Sequence, residues 1–554
     1  MNKSFSVVTT LLLLLCLTLA VVVVVDRVNG QLSTVRAFLS DSDLNNLLTR
    51  ESPLFAKEIE AQKIPDMQLK EHVSIIGDVD ISITGITISN VALGNLKVLM
   101  TSPNQVSLTD NNAQITISLN WAYRQENWPH SSGSGTAVCS TNTVSMTVTI
   151  LMQLDVNSGK PQFQLTANTI DLGNLNINIS GGGGWILNLL QNLFASQIKS
   201  SVQTGVESAI SSAVARVNNN IQAANMMPVL NMTLGANNFK LQVDYRVSEL
   251  TVLNNAFLAV GTRATFYDPN KGISPLPFGH VTLPNQPPSQ IDDLIDAYVT
   301  DFVINSMLYG LYSSNQMQTI ITPDMIPNYS PIQLNTTSLK NLIPQLYNAY
   351  PNKQVQLYLY SNAASNANLW PNIKISQLNG GMISAYFYGN IEFQVLTGSG
   401  STANAFILSL VANATLDNPK LIVSGGSKLN FTAQIVNPQF SVSVAQSWIG
   451  PVNLANLQQI IQLTLIDVYL PILNKDLASG IQLIDLSSLL PGFNLVNPNL
   501  LLQNGYMVMG VDGYYSPSLM FRQQTGKNVE KDVKESSAAA DKIIAKLKKT
   551  ISIQ

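Results

Sequence analysis

Apolar residues recur along this chain at two periods, and the periods alternate in blocks. A probable helix around Ser42 to Gln62 leads into a long region of period two, the mark of half-buried strands. Val79, Ile81 and Ile83 hand over at Gly85 to Ile86 and Ile88, a flip of parity that predicts a glycine bulge. Ile115, Ile117, Leu119 and Trp121 follow, then seven alternating positions from Val144 to Val156. Phe163 and Leu165, then Leu175, Ile177 and Ile179, complete the set. Beyond Gly181 to Gly184 the period changes. Ile198, Val202, Val206, Ile210, Val214, Val217 and Ile221 step by three or four, and Pro228 closes the run. This predicts one amphipathic helix of about 40 residues, ~60 Å long, which needs an elongated and curved partner surface.

Six prolines between Tyr267 and Pro288 read as an extended linker. The pattern then restarts. Ile291, Leu294, Ile295, Tyr298, Val299, Phe302, Met307, Leu308 and Leu311 predict a helix capped by Ser289. Alternating runs at Val355 to Leu359, Ile391 to Val395, Phe406 to Leu410, Leu429 to Ile435 and Phe440 to Val444 predict strands. A late helix carries Leu454, Leu457, Ile461, Leu465, Val468 and Ile472, and Tyr506 to Val511 is a last strand. Helix, strands, long helix, strand thus occurs twice. The expected class is α+β, with similar halves at 31–266 and 289–515 joined by the linker 267–288.

The two ends differ in composition. Lys3, an uncharged run from Val7 to Val25, and Val28-Asn-Gly30 have the form of a secretory signal peptide, residues 1–30, leaving Gln31 first. The run is also long enough to span a bilayer, so an uncleaved anchor is the competing reading. Residues 516–554 hold 8 Lys+Arg against 4 Asp+Glu. They read as a solvated tail, or as a cationic amphipathic helix that docks on anionic membrane. With the signal, six N-x-[ST] sequons become glycosylation candidates: Asn178, Asn231, Asn328, Asn335, Asn413 and Asn430. An extracellular location is expected, with an endolysosomal lumen as the alternative.

Charge and chemistry narrow the function further. The 554 residues carry 30 Lys+Arg and 33 Asp+Glu, so there is no basic footprint for nucleic acid. Three histidines and two cysteines are too few for a zinc site, and no other cofactor motif stands out. Gly181 to Gly184 lacks the Lys-[ST] of a phosphate loop, and Ser134 lacks the G-x-S-x-G frame of a hydrolase. A non-enzymatic protein is expected. Cys16 leaves with the signal, so Cys139 has no intrachain partner.

Four stretches in order carry a resemblance: ITGITISNV (Ile83 to Val91), GGGGWILNLL (Gly181 to Leu190), PPSQIDDLIDAYVTDFVINSMLYGLY (Pro287 to Tyr312) and NLLLQNGYMVMGVDGYY (Asn499 to Tyr515). ITPDMIP, Ile321 to Pro327, adds a fifth. Together they make the chain similar to the family of bactericidal permeability-increasing protein, lipopolysaccharide-binding protein and the phospholipid and cholesteryl ester transfer proteins. These are the tubular lipid-binding proteins. The resemblance implies two pseudo-repeated tubes in a boomerang, each a long helix wrapped by a highly twisted antiparallel sheet, with a central sheet joining them. It implies apolar pockets for the acyl chains of phospholipids or other amphipathic lipids, and membranes or lipid particles as partners. On that implication Ile198, Val202, Val206, Ile210, Val299, Phe302, Leu465 and Val468 line the tubes, against the plain alternative that they are core. Trp128, Pro129 and His130 would then sit near the end of the first arm, with Trp128 and His130 touching a membrane interface.

Two departures follow. The family's first-domain disulfide would pair the position of Cys139 with one in the strand before the long helix, where this chain has no cysteine. Lipopolysaccharide binders meet phosphates with a cationic tip, but residues 31 to 255 carry 12 Lys+Arg and 16 Asp+Glu. Shielding or transfer of ordinary phospholipid is therefore the expected function, and an innate-defence role in binding lipopolysaccharide is the alternative.

Overall fold

The computed structural model describes residues 33–515, apart from 61–63, 74–76, 156, 182–183, 235–236, 290–292, 331, 364–368, 399, 462–464, 468–469 and 486–492. The proposed signal, the basic tail and Val468 therefore lie outside the described residues.

A six-stranded antiparallel sheet occupies the middle of the fold, in the order Val247–Leu253, Phe257–Thr262, Val35–Ser40, Ile295–Thr300, Tyr506–Tyr515, Phe493–Gln503. Its two innermost strands come from opposite halves of the chain. Their register places Val35 opposite Val299, Arg36 opposite Tyr298 and Ala37 opposite Ala297. VRAFLSDSDLNN from Val35 and IDAYVTDFVINS from Ile295 correspond at an offset of 260 residues. Under that offset Ala37 maps onto Ala297, its own partner across the ladder. A local pseudo-two-fold axis passes between these two alanines.

This register corrects the helix expected from Ser289. Ile295–Thr300 is a strand, Ser289 lies outside any helix, and the helix runs from Asp301 to Ser313. Apolar residues at 294, 295, 298 and 299 fit a helical face, but Ile295, Ala297 and Val299 also alternate. The deciding term is tertiary: this segment fills a slot between two antiparallel strands, so both of its backbone edges are hydrogen-bonded. β-Branched Ile295, Val299 and Thr300 favour that outcome.

From the central pair each half builds a curved antiparallel sheet closed by helices. In the first half the order is Met67–Val73, Gly77–Ala92, Gln105–Gln125, Ser132–Asp155, Lys160–Asp171, with Lys97–Thr101 and Asn176–Gly181 added at the sides. Gly85 has φ +60° and the pairing slips between Thr84 and Thr87. The bulge keeps Ile81, Ile83, Ile86 and Ile88 all inside, as the parity flip requires. Helices Asp41–Glu60 and Lys199–Ala223 lie against this sheet. The long helix starts as Gly184–Leu193 and passes through one π turn, Phe194–Ile198, before continuing. A four-residue step exceeds 3.6 per turn, so its apolar stripe winds around the helix and follows the twist of the sheet.

The second half repeats the plan with Gln318–Ile321, Val355–Tyr360, Met382–Gly398, Ser401–Ser424, Lys428–Ser447 and Ile481–Asp485, and Asn372–Ser376 at the side. Its late helix is described as two stretches, Leu454–Ile461 and Leu470–Ser479. Ile472, expected on the apolar stripe, is exposed.

The proline-rich segment is stapled to the central sheet. Leu283 is buried beside Phe38 and Tyr298. Arg36 donates to the Pro284 carbonyl at 2.9 Å and also to Asn285, and the Tyr298 hydroxyl donates to the Gln286 carbonyl at 3.0 Å.

Candidate functional site

The inner surface of the first tube is the meeting of two stripes. Ile198, Val202 and Ile210 are buried with Ile186, Leu190 and Phe194 from the same helical run. They share one apolar cluster with Ile81, Ile117, Ile150 and Phe163 of the sheet. Val206, between the buried Val202 and Ile210, is partly buried and packs against the same cluster. The structure thus brings all four first-half candidates onto the sheet-facing side.

The second-half candidates disperse. Val299 sits on the central sheet, buried in the same large cluster as the first tube. Phe302 lies in the first turn of Asp301–Ser313, where its ring packs at 5.2 Å from Phe278 and 5.2 Å from His280 of the proline-rich segment. Val303, Ile304 and Leu308 are the residues of this helix that pack on the large cluster. Leu465 packs against a separate cluster in the second tube, built on Phe393, Phe406, Leu457 and Ile461.

A groove of about 770 Å³ opens between the strand Lys160–Asp171 and the C-terminal part of the long helix. Phe163, Leu165 and Val214 supply its apolar wall, and Gln153, Gln162, Asn218 and Gln222 its polar rim. This is the arrangement an amphipathic ligand needs, apolar wall beside amide donors and acceptors. The amides gave no signal in the sequence, since isolated Gln and Asn read as solvated surface.

Trp128 and His130 sit in the hairpin between Gln105–Gln125 and Ser132–Asp155. Trp128 is 85% exposed, and His130 has φ +57° with its N–H donated to the Asn127 carbonyl at 2.8 Å. The neighbouring cation is engaged: Lys70 meets Glu126 at 2.7 Å and Asp78 at 3.5 Å, and His72 meets Asp78 at 2.7 Å. The His72 contact holds the Asp78 carboxyl below its ordinary range.

Asn178, Asn231, Asn328 and Asn413 are exposed, and Asn335 is half-buried with its carbonyl accepting the Ser338 N–H at 2.7 Å. Asn430 is buried, and its amide donates to Ser424 at 2.8 Å. Both faces of the strand are covered at this point, so the folded chain has no room for a glycan on Asn430.

Cys139 is a free, fully buried thiol lying opposite Ile177 and Ile117 on its neighbouring strands. Burial pushes its pKa up from 9.0 to about 11. The folded thiolate fraction at pH 8 is then roughly a hundredfold below that of the unfolded chain. A disulfide-exchange reagent is expected to leave the native thiol untouched over minutes and to titrate it fully in denaturant. The unfolded chain loses this proton first, so the group's contribution to stability falls as pH rises from about 9 to about 11. Among the described residues no group of three or more His, Cys, Asp and Glu could hold a metal ion, and no helix is long and apolar enough to cross a membrane.

Two helix-closed antiparallel tubes on a shared central sheet define a two-domain tubular lipid-binding fold. The N-terminal domain model of the LBP / BPI / CETP family matches residues 51–218, and its C-terminal domain model matches residues 236–515. The chain belongs to this family, one of lipid-binding proteins. It is 24% identical to a bactericidal permeability-increasing protein of Sebastes schlegelii, over 82% of this chain and 90% of that one. Identity to the lipopolysaccharide-binding protein of Homo sapiens is also 24%, over 74% and 79% of the two chains. A crystal structure of lipopolysaccharide binding protein superposes with a TM-score of 0.52 at 20% identity, covering 88% of this chain and 99% of that one.

Proposed function

We propose that this chain is a secreted, non-enzymatic protein that shelters the acyl chains of phospholipids in its two halves and transfers them between membranes or lipid particles. The observation that supports it most is the continuous apolar lining of the first tube, from Ile186 to Val217 on the helix and Ile81 to Phe163 on the sheet, beside a groove with an amide rim. Each methylene moved from water into such a lining contributes ~0.8 kcal/mol, so two acyl chains bind with no charged contact.

Lipopolysaccharide is the second reading, because two of the relatives carry names that declare binding to it or killing of bacteria. The first-half hairpin argues against it. Lys70 is paired with Glu126 and Asp78, so among the described residues this cation is engaged and not left free for the phosphates. Native mass spectrometry after incubation with phosphatidylcholine vesicles and, in parallel, with lipopolysaccharide tests the choice. Retained phospholipid near two per chain supports the proposal, whereas capture of lipopolysaccharide alone would reverse the order of the readings.

The same proposal makes Trp128 a contact with the membrane interface, where an indole is favoured. Trp128→Ala is expected to weaken association with vesicles roughly fivefold, about the worth of one aromatic contact. Its unfolding midpoint should not move, because the side chain is already in solvent. A vesicle-sedimentation assay with unchanged binding removes Trp128 from the interface.

A further inference from the structure

The helices hold the sheet edges by one repeated device. Asn45 accepts the Val98 N–H at 2.7 Å and donates to the Val98 carbonyl at 3.1 Å. Asn305 does the same to Ile373, at 2.7 and 3.0 Å. Asn218 does it to Phe163, at 2.9 and 2.8 Å, and Asn474 to Ile435, at 2.7 and 3.1 Å. In each case a side-chain amide takes the place of a missing strand and satisfies both backbone groups of one residue. The four fall into two pairs. Asn45 and Asn305 are the fifth residues of the helices that leave the central strands, 260 positions apart. Asn218 and Asn474 lie on the late helices and grip Lys160–Asp171 and Lys428–Ser447, corresponding strands of the two sheets.

The two pairs differ in what else restrains them. The helices of Asn45 and Asn305 continue directly from strands Val35–Ser40 and Ile295–Thr300, so a central ladder fixes their roots. Strand Lys160–Asp171 is the free edge of its sheet along 160–171, and side chains from the long helix cover it. Besides Asn218, Glu207 accepts the Ile170 N–H at 3.2 Å, Gln203 donates to the Ile170 carbonyl, and Asn168 donates to the Glu207 carbonyl at 2.7 Å. Beyond the Asn218 clasp, among the described residues, Lys160 ties strand to helix by its bond to the Gln222 carbonyl. The groove opens at this end, with Phe163 and Asn218 both in its wall.

We propose that the Asn218–Phe163 clasp is the latch of a seam, and that a phospholipid acyl chain enters the first tube when the helix end parts from the strand there. The inference rests on the lipid-binding reading above. Parting the seam breaks the two Asn218 hydrogen bonds and a lysine contact, and widens the groove that Phe163, Leu165 and Val214 already line. The released Phe163 and Asn218 N–H groups are then free to donate to the lipid's ester and phosphate oxygens, and the released carbonyl oxygens accept from water. Asn45 and Asn305, which hold helices already fixed at their roots, serve as anchors and not as latches.

Asn218→Leu keeps the branched shape of the side chain and removes both bonds. Each is worth roughly a factor of five in an equilibrium, so the open population should rise on the order of tenfold or more. Stopped-flow uptake of a fluorescent-acyl phosphatidylcholine from vesicles should accelerate by about that factor, and amide exchange at Phe163 with it. Asn305→Leu, which loses an identical pair of bonds, should leave the uptake rate within about twofold. Asn218→Asp, which keeps only the acceptor, should fall between wild type and Asn218→Leu, and it replaces Asn218→Leu should that variant not fold. Equal acceleration by Asn218→Leu and Asn305→Leu, or none by either Asn218 variant while the wild type takes up lipid, overturns the latch and leaves the lipid reading standing. A wild-type chain that takes up no phosphatidylcholine at all overturns both.

Discussion

Trp121→Ala should lower the free energy of unfolding by about 3–5 kcal/mol, the cost of a large cavity that cannot collapse. The indole is 1% exposed on strand Gln105–Gln125, stacked on Tyr123 with ring centres 6.3 Å apart. Its N–H donates to the Thr136 carbonyl at 3.3 Å. Side chains of the large apolar cluster pack on it, and backbone closes one side. A Cβ on Gly135, directly across the ladder, would meet the Trp121 ring at 2.7 Å and the Ser180 carbonyl at 1.9 Å. Three strands converge there, and a ladder cannot move inward to fill the void without breaking its own pairing. Trp121→Phe, which retains the apolar bulk but not the N–H donor, should lose much less. Urea unfolding followed at two wavelengths measures the effect through the midpoint at constant slope. Cys139 gives a second readout, since it lies on the same strand as Gly135, and its thiol should become reactive in the alanine variant at denaturant levels where the wild type is silent. A loss under about 1 kcal/mol would show that the site is plastic, and would argue that this end of the tube is open to ligand.

What the sequence disclosed depended on whether one term dominated locally. Val79, Ile81, Ile83, then Ile86 and Ile88, could be read correctly because only a bulge keeps all five inside, and glycine is the residue that supplies φ near +60°. Ile295–Thr300 was misread because six residues fit either period, and the deciding hydrogen bonds come from strands over 200 positions away on both sides. Its correct state was still written in the chain: VRAFLS at Val35 and IDAYVT at Ile295 are one pattern at an offset of 260, and a strand in one predicts a strand in the other.

Polar positions were the least legible. Asn45, Asn218, Asn305 and Asn474 look like ordinary solvated residues of helices until their partners, 39 to 68 residues distant, are known. Asn430 looked like a glycan acceptor because a sequon says nothing about the far face of its strand. The first-tube stripe was visible since periodicity along one helix records which side is buried, whereas Phe302 depended on where its helix began.

Asp244→Ala should be the most damaging charge substitution in the described chain, at about 3–5 kcal/mol, because it removes a fully buried carboxylate from a buried and a part-buried guanidinium. The Asp244 side chain is fully buried where strand Asn237–Asp244 ends. Arg246 grips it with two side-chain bonds, at 2.9 and 2.8 Å, and Arg246 N–H donates at 3.0 Å. Arg263 approaches the second oxygen at 3.5 Å, and its own side chain is 10% exposed. The carboxylate thus neutralises two cations at the corner where the first half passes into the proline-rich segment. Removing it takes the carboxylate from a buried Arg263 and a part-buried Arg246, which costs more than the pair itself contributes to stability. Asp244→Asn keeps the shape and one acceptor oxygen, so its loss should be smaller but still clear of zero. The contrast with Asp78 makes the test sharp. That carboxylate also meets two basic groups, Lys70 and His72, but in open solvent, and Asp78→Ala should leave the urea midpoint where it is. Raising salt to 1 M should not rescue Asp244→Ala, since the Debye length of about 3 Å screens exposed charges and not buried ones. If Asp244→Ala and Asp78→Ala prove equally mild, the corner is wetter than the structure places it, and the guanidiniums are solvated on release.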